Sequence, residues 1–79
     1  MPRYHLNVYN DIVAPDEEGI ERDNVADATT EAINGARGLV AASILRGDPV
    51  YEKHRIEITD RSGQILHTVR FGDIVDLRS

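Results

Sequence analysis

The run DNVADATTEAINGARGLVAASILRGDP, residues 23–49, carries the strongest periodic signal in the chain. Val25, Ala28, Ala32, Gly35 or Ala36, Leu39 and Ser43 recur at the spacing of one helical face, and Ile33, Val40 and Ile44 widen it. Asn24 supplies the cap, with Asp27 three residues on in place of the glutamate of a capping box. Asp27 and Glu31 fall in the first half, Arg37 and Arg46 in the second, which suits the helix dipole. Gly47-Asp48-Pro49 is the stop. These signals predict a helix over about 24–46, roughly 33 Å long at 1.5 Å per residue.

The packing side of this helix is light. Ala28, Ala32, Gly35, Ala36, Gly38, Ala42 and Ser43 are all small. A glycine inside a helix costs about 1 kcal/mol against alanine, so Gly35 and Gly38 need a reason. Close approach is the physical one, either of the sheet beneath or of another helix. Gly35, Gly38 and Ala42 are therefore the candidate helix contact surface.

On the N-terminal side, RYHLNVYN (residues 3–10) alternates, with Tyr4, Leu6 and Val8 on one face and His5, Asn7 and Tyr9 on the other. It reads as a strand with one face in the core, at an edge or in the centre of a sheet. The stretch PDEEGIERDN (residues 15–24) then places five acids in ten residues. Pro15-Asp16 reads as a turn, Gly19-Ile20-Glu21 as a short second strand, and Asp23-Asn24 as the helix cap. Glu17, Glu18 and Glu21 are left without a local duty and form the candidate partner surface.

On the C-terminal side, residues 54–71 read as a hairpin. Ile56 and Ile58 alternate with Arg55, Glu57 and Thr59, and Asp60-Arg61-Ser62-Gly63 is the turn. Ile65, Leu66, Val69 and Phe71 break strict alternation; either a bulge restores it or both faces are partly covered. His67 is expected opposite Arg55 and Glu57 as a cross-strand polar pair. Residues 72–79 read as a short helical turn or tail with Ile74, Val75 and Leu77 folding back. The expected architecture is one α+β domain over residues 1–79 in the order β-β-α-β-β, two layers deep, with the helix packed on a small antiparallel sheet.

Composition narrows the function classes. A 79-residue chain offers one small core. The absence of cysteine excludes disulfides, thiolate metal sites and thiol nucleophiles, and fits a reducing compartment. The longest apolar run is LVAA, residues 39–42, so no membrane span or signal-like stretch is expected and the protein reads as cytoplasmic. Net charge is −5, with −6 in residues 1–36 and +1 in residues 37–79. No basic footprint for nucleic acid is visible, although folding can gather Arg37, Arg46, Lys53 and Arg55 into a patch.

Catalytic and metal chemistry finds little footing. His5, His54 and His67 show no local metal-ligand spacing. An EF-hand loop begun at Asp11 places Val13 and Pro15 where ligands belong. Ser43 and Ser62 lack a nucleophile-elbow context. No metal, no cofactor and no enzymatic activity are expected, save the remote case of a site at a dimer interface that gathers the histidines.

MPRYHLNV, PDEEGIERDNVADA and TVRFGDIV together resemble a family of short uncharacterised proteins (a domain of unknown function) frequent in alphaproteobacteria such as rhizobia and sphingomonads. Its members open with Met-Pro-Arg-Tyr and an alternating strand. An acidic Gly-containing segment, an Ala-rich helix and a hairpin ending near Val-x-Phe-x-Asp follow. The resemblance spans nearly the whole chain and implies no assigned activity. A weaker resemblance, to the antitoxin half of a toxin–antitoxin pair, rests on a short acidic strand with glycine before an Ala/Glu-rich helix. It implies an acidic surface for a basic partner. The function expected is that of a small protein-interaction domain that associates with itself, or alternatively that of an antitoxin-like regulatory partner of a basic protein.

Overall fold

A computed structural model of the chain describes residues 2–76 and 78. Met1 of the opening and Leu77 of the tail therefore lie outside the described residues. The elements are β1 (Arg3–Tyr9), β2 (Val13–Ala14), β3 (Ile20–Glu21), α1 (Val25–Arg46), β4 (Arg55–Thr59), β5 (Ile65–Arg70) and α2 (Phe71–Ile74). This is the expected α+β class, one long helix on a small antiparallel sheet. The order departs from β-β-α-β-β by one further short strand, and the helical turn read at the C-terminal end is α2, begun one residue earlier at Phe71.

β1 is a central strand. β4 pairs along one side of it, with Leu6 opposite Ile58 and Val8 opposite Ile56, and β5 continues the sheet beyond β4. β2 and β3 share the other side of β1: Val8 faces Ala14 and Tyr4 faces Ile20. Between those two contacts, residues 15–19 face only residues 5–7 of β1. The surplus residues cannot stay in the ladder, so one expected strand becomes two.

The helix is held as its sequence dictates. The Asn24 side chain accepts a hydrogen bond from Asp27 N at 2.9 Å. Gly47 takes φ of 76°, donating to Ile44 O while Asp48 N donates to Ser43 O, which satisfies the last carbonyls. Ala28, Ala32 and Ala36 are completely buried, and Val40 continues the row. Spaced four apart, they let α1 lie close on the sheet over Tyr4, Ile56, Ile58, Val69 and Phe71. Ile58 is the only large side chain among the described residues with less than 2 % exposure. The core is correspondingly thin.

In the hairpin, Ile58 faces His67 and Thr59 faces Ile65, so Leu66 is the bulged residue. The bulge also corrects the expected histidine pairing. It shifts His67 from opposite Glu57 to opposite Ile58, while Glu57 faces Thr68. Val69 and Phe71 are thereby turned to the core side.

Candidate functional site

The acidic run is tied to β1 by its own first acid. Asp16 Oδ2 accepts from Leu6 N at 3.1 Å and Oδ1 accepts from Gly19 N at 3.1 Å. Asp16 N donates to Asn7 Oδ1 at 2.8 Å, and the Asp16 carbonyl lies 2.7 Å from His5 Nδ1. The carboxylate thus stands in for the missing strand partner where the ladder is interrupted. Arg3 closes the loop from outside, donating to Glu18 O at 2.6 Å and pairing with Glu21 at 2.9 Å.

Three candidates from the sequence therefore separate. Glu21 is engaged with Arg3. The Glu17 and Glu18 side chains are exposed and take part in no ion pair among the described residues. They stand on a loop of fixed shape. The sequence signal for that shape is Asp16 followed by Gly19, one Asx-type turn rather than a turn at Pro15-Asp16 and a strand from Gly19.

Gly35 and Gly38 are exposed and Ala42 is half-buried. A methyl group at Gly35 would make only ordinary contact, 3.8 Å from Ile56 Cδ1, and at Gly38 it would meet nothing within 4 Å. The sheet requires neither glycine; the buried alanines alone let the helix approach it. Leu45 follows Ala42 by three residues and is 87 % exposed, and its neighbour Ile44 is 65 % exposed. Gly35, Gly38, Ala42 and Leu45 advance by three, four and three residues, the spacing of a coiled-coil seam. The candidate surface legible in the sequence ends at Ala42, and the same spacing extends it to Leu45.

The histidines lie apart. His5 is bound to the acidic loop, and His67 is exposed on β5. His54 is packed between Tyr51 and Phe71, with ring centroids at 4.9 and 6.0 Å. Its Nε2 lies 3.7 Å from Asp11 Oδ1, too far for a hydrogen bond. His54, Asp11, Ser43 and Arg46 share a cleft of about 300 Å³ at the C-terminal end of α1. Ser62 is occupied in the hairpin turn, where its Oγ donates to Asp60 at 2.6 Å. Among the described residues no three His, Asp or Glu side chains are placed to hold a metal ion, and no helix is long and apolar enough to cross a membrane.

The four basic residues that folding could gather are divided. Lys53 and Arg55 line a surface pocket of about 500 Å³ with Arg70, Glu52, Gly72 and Asp73. Arg46 lies in the other cleft, paired with Asp48 at 2.8 Å, and Arg37 is exposed on α1.

Compared with known families, the chain matches a domain of unknown function (DUF6894) over residues 3–72 and belongs to that family. Neither the curated proteins nor the solved structures give a match.

Proposed function

We propose that this family member is a small non-enzymatic interaction domain whose first partner is a second copy of itself, joined through the exposed flank of α1. One observation carries the proposal: the seam of Gly35, Gly38 and Ala42 runs into Leu45, an almost fully exposed leucine. Two such helices set antiparallel bring Ala42 opposite Gly35 and Leu45 within about one turn of Gly35 of the other copy. The same register brings Glu31 opposite Arg46, so acidic and basic halves face each other and the helix dipoles oppose.

The partners Glu31 and Arg46 hold in the free chain do not oppose this. Arg22 pairs with Glu31 at 2.8 Å and Asp48 with Arg46 at 2.8 Å, both well exposed, where such pairs are worth at most about 1 kcal/mol.

Sedimentation equilibrium over a micromolar concentration series tests this. A dimer that Leu45→Glu converts to monomer is expected. A strictly monomeric wild type, or a dimer indifferent to Leu45→Glu, overturns it. A cysteine-free chain of this kind suits a reducing interior such as the cytoplasm.

A second reading is favoured by the fixed acidic loop. Glu17 and Glu18 project from a scaffold set by Asp16 and Gly19, which suits an antitoxin-like or regulatory role in which this chain docks on a basic protein. Reversal of both charges should abolish capture of that partner in a pull-down from the native host. Unchanged recovery of the same partner by the reversed variant removes this reading.

A further inference from the structure

Arg55 and Arg70 stand directly opposite each other across the β4–β5 pair. Like charges in that position repel and destabilise a sheet, so the sequence breaks a local rule here. Arg55 is held in place from two sides. Its guanidinium carbon lies 4.5 Å from the centroid of the Tyr9 ring, and its Nε donates to Glu57 at 2.8 Å. Its two terminal nitrogens make no hydrogen bond among the described residues and remain available as donors. Arg70 and Lys53 are exposed, and neither joins an ion pair among the described residues.

The three cations line one pocket of about 500 Å³, within the usual range for small-molecule sites. Its floor is tight. Gly72 N donates to Glu52 O at 3.2 Å, and a Cβ at Gly72 would come within 3.1 Å of Glu52 Cβ. Glu52 and Asp73 also line the pocket, and Glu57 holds Arg55, so three carboxylates stand against the three cations. A diffuse positive field is therefore weak. Recognition must come from guanidinium hydrogen bonds to an oxyanion held between Arg55 and Arg70.

We propose that this pocket binds the phosphoryl group of a small phosphate monoester, with Arg55 and Arg70 as paired donors and Lys53 as a third. A dianion relieves the repulsion between the arginines as a singly charged carboxylate cannot, and the open rim leaves room for the ester substituent. The pocket is lined from the start of β4, the end of β5 and the residues beside them, shares no residue with the α1 seam, and stands independently of self-association.

The test is an NMR titration of the labelled chain at constant ionic strength, with inorganic phosphate, methyl phosphate and acetate as probes. Saturable shifts at the amides of Arg55, Arg70 and Gly72 are expected with both phosphates. Arg70→Gln is expected to weaken them at least about tenfold, the size of one charge-assisted hydrogen bond, and Lys53→Gln provides a second variant should that one fold poorly. Shifts that do not saturate, equal saturation by acetate, or unchanged affinity in a folded variant overturn the proposal. Binding of inorganic phosphate with exclusion of methyl phosphate overturns the monoester assignment.

Discussion

Gly19 lies against the backbone of Tyr4: a Cβ built on Gly19 would come within 2.8 Å of the Tyr4 carbonyl oxygen. The same glycine takes φ of 73°, a conformation costly for any residue with a side chain. The acidic loop is therefore shaped by one carboxylate and one missing methyl group. Its remaining exposed acids ride on that frame.

Gly19→Ala is expected to destabilise the chain by about 2 kcal/mol or more, from left-handed strain and the contact with β1 together. Asp16→Ala should follow at about 1–3 kcal/mol, because Leu6 N and Gly19 N lose their acceptor. Glu17→Ala should stay within about 0.5 kcal/mol as an exposed position. Urea unfolding of the three variants checks the order.

The two kinds of small residue on α1 should respond in opposite directions. Ala32 is completely buried, so Ala32→Leu should cost about 1–3 kcal/mol by overpacking. Gly38 has open space around it, so Gly38→Ala should stabilise the monomer by about 0.5–1 kcal/mol. Measured under conditions that favour association, Gly38→Ala should also weaken the dimer, because the added methyl group stands in the seam.

The hairpin turn carries a pH signature. Asp60 Oδ1 accepts from Ser62 Oγ at 2.6 Å, Ser62 N at 2.9 Å and Gln64 N at 3.0 Å. The Ser62 hydroxyl first, then the Gln64 amide, hold the carboxyl below its usual range. A carboxylate lowered in the folded state stabilises above the ordinary aspartate value, about pH 4, and that contribution fades as pH falls through the folded-state value. Thermal midpoints of wild type and Asp60→Asn should differ near neutral pH and converge at the acid end. A gap that stays constant contradicts the assignment.

Much of the fold was legible because its signals are local. Asn24, Gly47 and the buried alanine row mark α1, and the adjacent apolar pair at Ile65 and Leu66 announced the bulge. What was hidden depends on pairing between distant residues. That Asp16 would replace a strand partner of Leu6 cannot be read from Asp16 alone. The bulge at Leu66 determines which residue His67 meets, and the Arg55–Arg70 opposition follows from the same register. On α1, the period showed which residues share a flank. Only three-dimensional packing shows that Gly35 and Gly38 owe nothing to the sheet.

The chain contains no cysteine, so a single introduced thiol reports on one position alone. The seam places Gly38 near the twofold axis of an antiparallel α1 pair and Ala26 far from its counterpart. With a short bis-maleimide at micromolar protein, Gly38→Cys should link two copies efficiently and Ala26→Cys hardly at all. Equal linking at both positions, or none at 38, would contradict self-association through α1.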